Sequence, residues 1–198
     1  MGLLGTRIRW CIPIFSLRIP FPTPPSTFPL SSMSQLAAAI SQINATRQYT
    51  LGLLADLPAD AWFYMPTPAV THIAWQVGHI SNSQYRIGVA FHREPRPEDV
   101  AWIPTNYREL FGRDSIPQAD PSRYPTPEEL LANLESIHRH VMAEVEGFTE
   151  ADLARPILQP HRFLKTCEEA LFWCSRHESI HAGQIALLRR LHGLSPHW

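Results

Sequence analysis

Apolar residues recur at helical spacing in four stretches of the chain, and nowhere do they alternate over the length of a strand. Leu36, Ile40, Ile43, Leu54 and Leu57 step by threes and fours and stop at Pro58, which predicts a first helix over 34–57. In a second stretch, 72–92, Trp75, His79, Asn82 and Arg86 share one stripe, with Thr71 placed to cap it and Pro95 beyond its end. Thr126-Pro127-Glu128-Glu129 reads as a capping box with Pro in the first turn, and Leu130, Leu134, Ile137, Val141 and Val145 follow on one face, giving a third helix over 127–147. A second capping box, Thr166-Cys167-Glu168-Glu169, opens a fourth helix that ends with Arg189 and Arg190 in its last turn, Gly193 just beyond and Pro196 after that. Between the second and third helices, Pro95, Pro97, Pro104, Pro117, Pro121 and Pro125 restrict residues 94–125 to an irregular connection with at most short turns. The expected fold is all-α: a four-helix bundle with a long irregular connection between helices two and three.

Residues 1–32 do not join this pattern, because Pro13, Pro20, Pro22, Pro24, Pro25 and Pro29 interrupt any helix or central strand. Their acid-free, Arg-containing composition, the apolar run 10–17 and the start MGLLGT each match a targeting or lipidation pattern loosely, without a small-residue cleavage site. The expected reading is a Pro-rich extension outside the fold, with ordered pattern starting at Met33 and the bundle occupying 33–198.

Composition narrows the function classes. Of 198 residues, 44% are apolar and 18% charged, which suits one soluble domain with a real core, and no apolar run reaches the roughly 20 residues of a membrane span. The net charge of −1 hides an asymmetry, since residues 1–55 carry four arginines and no acid, whereas from Asp56 onward 18 acids face 13 bases. That balance offers no basic stripe for a phosphate backbone, so nucleic acid is not an expected partner. Cys11, Cys167 and Cys174 are too few for a disulfide framework, and the last two would sit about 10 Å apart on one helix, which points to a reducing compartment, the cytoplasm.

Ten histidines are the unusual feature. His177-Glu178-Ser179-Ile180-His181 puts two imidazoles on adjacent turns of the fourth helix, on the stripe of Ala170, Trp173, Cys174, Gln184 and Leu188 that faces the bundle interior. Their β-carbons would be about 5–6 Å apart, close enough for both rings to reach one cation, although two core-edge histidines bonded to carbonyls would read the same. His79, mid-helix on the inward stripe of the second helix, supplies a third imidazole. The same string satisfies the His-Glu-x-x-His zinc protease pattern with Glu178 as base, but residues 182–198 contain no Asp or Glu for a downstream ligand, and Leu187 stands where a metzincin needs histidine. A third ligand therefore has to come from upstream, and the protease reading is a minor one.

These residues resemble the DinB-like superfamily. The likeness is carried by Ile73-Ala74-Trp75-Gln76-Val77-Gly78-His79-Ile80, by Phe148-Thr149-Glu150-Ala151-Asp152-Leu153, and by His177-Glu178-x-x-His181-x-Gly183-Gln184-Ile185 with Arg189, Arg190 and Gly193 closing the helix; it spans about 33–196. The resemblance implies a four-helix bundle with His79, His177 and His181 as metal ligands, a divalent ion such as zinc or nickel, and a homodimer. It also implies chemistry of the thiol S-transferase kind with a low-molecular-weight thiol, or a related hydrolysis; the rival is a stress-response bundle that binds a metal or ligand without turnover.

Other side chains are weighed beside these. Gln184 and Asn82 each follow a candidate ligand by three residues and are expected to orient a bound water or ligand, or else to bond between helices. Glu178 points about 100° from His177 and is expected at the surface, with a base role as the alternative. Arg86 and Arg47 lean inward and are candidates for holding an anionic substrate. Trp75, Trp102 and Trp173 are candidate pocket walls, Cys174 reads as packing, and His138 as a distant fourth-ligand candidate. His72, His92, His161, His192 and His197 read as caps or surface residues.

Overall fold

The computed structural model describes residues 33–68 and 70–195; the extension 1–32 lies outside the described residues. Five α-helices form: α1 (Gln35–Leu54), α2 (Ile73–Tyr85), α3 (Tyr107–Phe111), α4 (Pro127–Glu146) and α5 (Cys167–His192), and no strand occurs among the described residues. α1 packs on α5 and α2 on both α4 and α5, so the four long helices make the expected bundle, with the short α3 laid against α2.

Local chemistry sets the ends. Thr126 Oγ1 accepts from the Glu129 N–H while Glu129 accepts from the Thr126 N–H, and Thr166 with Glu169 repeats the arrangement, so both capping boxes form as read. α5 stops at Gly193, whose φ of 97° is the left-handed conformation that glycine adopts without a Cβ clash. α1 ends three residues before the expected 57. The buried guanidinium of Arg189 donates to the Leu53 carbonyl at 2.7 Å, satisfying a helix-end acceptor.

α2 differs from the expectation at both ends. Its cap is His72 instead of Thr71: His72 Nδ1 accepts from the Trp75 N–H at 3.1 Å, and Thr71 Oγ1 accepts from Gln76 Nε2. Beyond Tyr85 the chain takes one wide π turn, Arg86–Ala90, in which the Arg86 carbonyl accepts from the Phe91 N–H at 3.0 Å. The connection that follows is irregular as read, except that it holds α3 and the 3₁₀ turns Pro97–Ala101 and Pro121–Arg123.

Apolar faces close into a core around α2. Trp62, Ile73, Val77, Ile80, Phe111, Leu130, Leu134, Ile185 and Leu188 pack together at one end, and Ile43, Ile87, Phe91, Met142 and Cys174 meet further along. α2 is enclosed on every side, with 73–81 buried without exception, so its polar residues must find partners inside the protein.

Candidate metal centre

The three imidazoles predicted from separate stretches converge. One ring nitrogen from each of His79, His177 and His181 lies within 4.8 Å of the others, and the ring centroids are 4.5–5.2 Å apart. His79 and His181 are buried and His177 half-buried. α2 delivers the first and α5 the other two, across the direct α2–α5 contact.

Hydrogen bonds decide which nitrogens are available. His79 Nδ1 lies 2.6 Å from the Phe111 carbonyl and His181 Nδ1 lies 2.6 Å from Gln76 Oε1. Both partners can only accept, so each Nδ1 carries the proton and each Nε2 keeps its lone pair. Gln76 is itself oriented because its amide donates to Thr71 at 3.0 Å, leaving Oε1 for histidine. His181 Nε2 and His177 Nε2 then lie 3.3 Å apart. That is the nitrogen–nitrogen spacing of two tetrahedral ligands on bonds of about 2.0–2.1 Å; without a cation, His177 Nε2–H can donate to the His181 lone pair across the same distance. The donor set therefore fits a divalent metal ion.

Burial holds the rings neutral. It pushes His181 down to about 3 and His177 to about 4, each assisted by the charge of the neighbouring imidazoles, and it lowers His79 against the opposing Phe111 hydrogen bond. Neutral imidazole is the form that binds metal.

Aromatic walls flank the triad. Trp75 stacks on His79 with centroids 4.7 Å apart and planes 14° from parallel, and its Nε1–H donates to Ser115 Oγ at 2.9 Å, which in turn donates to the Gly112 carbonyl. Trp173 lies 6.1 Å from His177. Trp102 is elsewhere, stacked on His140 at 4.2 Å.

Several expectations need correction. Gln184 is exposed and takes no part in the site; the amide that orients His181 is Gln76, from the facing helix. Asn82 is half-buried on the wall of a neighbouring cavity, and the hydroxyl near His79 is that of Ser83, 3.3 Å from Nε2. Arg86 also faces that cavity.

Glu178 is neither at the surface nor free to act as a base. It is 3% exposed, and its two oxygens accept from Arg47 Nε at 2.8 Å and Nη2 at 3.0 Å. Arg47, spent on this pair, is not available to an anionic substrate; it also donates to the Leu134 carbonyl and to Gln84 Oε1. Gln84 donates onward to His138 Nδ1, and His138 Nε2 lies 3.0 Å from Asn44 Oδ1, so His138 belongs to this chain and not to the metal ligands. The protease reading loses its base with Glu178.

Cys174 packs in the core as expected, its thiol raised to about 12 by burial. His92 was expected as a cap or surface residue and is buried, edge-on to Phe148 at 5.2 Å. His161 does cap, accepting from the Leu164 N–H, and His197 lies outside the described residues.

Sequence reasoning missed Gln76, Ser83 and the Phe111 carbonyl. Gln76 had a signal, since an amide three residues before a candidate ligand on an enclosed helix has to find an internal partner. A backbone carbonyl has none.

Comparison with known proteins accords with this geometry. The family model described as the DinB superfamily matches residues 42–185. Among solved structures, the chain is similar to a conserved protein from Enterococcus faecalis, with a TM-score of 0.59 and 17% identity over 81% of this chain and 98% of that one, a likeness of fold. No curated protein matches the sequence.

Proposed function

The chain belongs to the DinB superfamily, and on that premise we propose that His79, His177 and His181 hold one divalent ion, zinc or nickel, at the centre of a thiol S-transferase or related hydrolase. The observation that carries this reading is the pair of buried Nδ1–H donors, to Phe111 and Gln76, that leaves the Nε2 lone pairs of His79 and His181 for a metal in a cluster whose three ligand atoms lie within 4.8 Å of one another. Three protein ligands are one fewer than a closed structural site uses, which leaves room for substrate. When bound, such an ion lowers the pKa of a water or thiol and polarises a substrate oxygen. This chain's own residues do the positioning: Phe111 and Gln76 orient the rings, Trp75 braces His79, and Trp173 flanks His177.

Elemental analysis of the wild type beside His79→Ala, His177→Ala and His181→Ala tests the site. One ion per chain is expected in the wild type and less than a tenth of that in each variant; full metal content in any of the three removes that residue from the site. Turnover of the metal-loaded chain on a panel of thiol acceptors, lost when the ion is chelated, tests the enzyme against the non-catalytic binder.

For partners we propose a small molecule and a second copy of the chain. Ile180, Leu187 and Leu191 lie about half-exposed at turn spacing along one side of α5, a surface suited to a homodimer. Light scattering of Leu187→Glu, monomeric where the wild type is dimeric, checks it. No described helix is long and apolar enough to cross a membrane, and Cys167 and Cys174 are free thiols, which supports the cytoplasm as the proposed location.

A further inference from the structure

Five of the thirteen described arginines have an acidic partner, and Arg123, Arg139, Arg162, Arg176 and Arg190 are without an ion pair among the described residues. Arg47, Arg93, Arg96, Arg155 and Arg189 each have a carboxylate oxygen within 3.2 Å. Arg86, Arg108 and Arg113 have none among the described residues, and all three line one cavity of about 880 Å³. Glu109 and Asp114 share its wall without forming an ion pair with them. Arg86 is held by its own packing, with the guanidinium over the Phe91 ring at 5.0 Å from the centroid. Partial burial and the charges of Arg108 and Arg113 make its positive form less favourable than usual, so three exposed like charges repel one another around a space whose wall also carries the carboxylates of Asp99, Glu109 and Asp114.

The cavity adjoins the imidazole triad. Ser115 on its wall holds Trp75, which stacks on His79, and Asn82, also on the wall, lies one turn beyond His79. Arg86 follows His79 by seven residues, two turns along the same side of the helix and about 10 Å of axis.

We propose that this cavity takes the anionic end of the substrate, a carboxylate or a phosphate, on Arg86, Arg108 and Arg113, with the reacting end of the same small molecule about 10 Å away at the triad. Guanidinium groups suit that task because they stay charged and donate two parallel hydrogen bonds to either oxyanion. The placing of the reacting end rests on the metal-site reading; the anion site itself does not.

Calorimetric titration of the full chain tests it, with succinate in one arm and inorganic phosphate in the other. Arg86→Gln, Arg108→Gln and Arg113→Gln are compared with Arg139→Gln, an exposed arginine of α4, and the series is repeated on a His177→Ala background. Saturable binding of one anion, weakened tenfold or more by each cavity substitution, unchanged by Arg139→Gln and retained with His177→Ala, is the expected result, and the anion that binds names the group. No saturable binding of either anion overturns the proposal. Equal weakening by Arg139→Gln, or binding that vanishes with His177→Ala while surviving the arginine changes, overturns it as well. The metal content of the same samples reads the triad independently, so a triad that holds no ion leaves the anion result standing.

Discussion

Replacing Gly78 by alanine perturbs the site from behind. A Cβ built there would stand 2.4 Å from Phe111 Cδ1 and Cε1 and 2.5 Å from Cγ, more than 1 Å inside an ordinary carbon contact of about 3.5–4.0 Å. Phe111 is fully buried, with Tyr107 edge-on at 4.9 Å and Tyr124 at 5.8 Å, and the clash reaches the ring's root, so rotation cannot relieve it. The backbone of α3 has to move, and it carries the carbonyl that orients His79 at 2.6 Å; a shift of about 1 Å takes that contact beyond hydrogen-bonding range. Overpacking of this kind costs about 1–3 kcal/mol. Loss of a ligand-orienting partner typically weakens metal binding by about 10–100-fold.

Gly183→Ala, in α5 two residues from His181, is the matched control because nothing lies within 4 Å of its Cβ. It takes the helical preference for alanine, about 1 kcal/mol, without the clash. Scanning calorimetry should place Gly78→Ala several degrees below Gly183→Ala, at roughly 2–4 °C per kcal/mol for a chain of this size. A competition titration against a chromophoric chelator should show weaker metal binding in the first variant alone. If Gly78→Ala melts lower yet binds metal as tightly as Gly183→Ala, the coupling of α3 to His79 is refuted; if the two melt together, so is the steric argument.

Gln76→Leu removes the acceptor that fixes His181 and should weaken metal affinity by about 10–100-fold in the same titration, whereas Gln184→Leu, at the exposed position, should leave it unchanged. Glu178→Ala leaves the Arg47 guanidinium buried without its carboxylate and should destabilise the protein by about 3–5 kcal/mol in urea unfolding; a loss below 1 kcal/mol contradicts the pairing. His72, His92 and His138, outside the metal site, are each lowered to about 4, chiefly by burial. The unfolded chain therefore takes up protons before the folded one, so stability is full above pH 6.5 and falls as the pH drops from there toward 4. Urea midpoints of metal-free protein at half-unit steps check this, and a flat profile between pH 7 and 4.5 contradicts it.

How much of this was readable beforehand varies with the reach of each interaction. Both capping boxes and the Gly193 terminus lie within a few residues of chain, so their chemistry is local and the ends of α4 and α5 came out as expected. His177 and His181 are likewise one turn apart. Gln184 misled because it shares a nominal stripe with His181, yet the facing helix supplies Gln76 on one side and leaves the other open, and only the packing decides which side is which. Glu178 misled for the same reason: its neighbour along α5 is solvent in a helical projection, but α1 brings Arg47 against it.

The wide turn at Arg86–Ala90 sets the phase of everything after it. It takes up more than the 3.6 residues of an ordinary turn, so Phe91, fully buried, and His92 meet the core at an azimuth that a straight α-helix from His79 would not give them. A relative with an uninterrupted helix could keep both the imidazole and the downstream aromatic in place only by dropping a residue between them. A one-residue gap in that interval of an alignment would therefore mark the lineages that lack the turn, and in this chain a one-residue deletion there would close the wide turn into an ordinary one while keeping His79 and Phe91 in register.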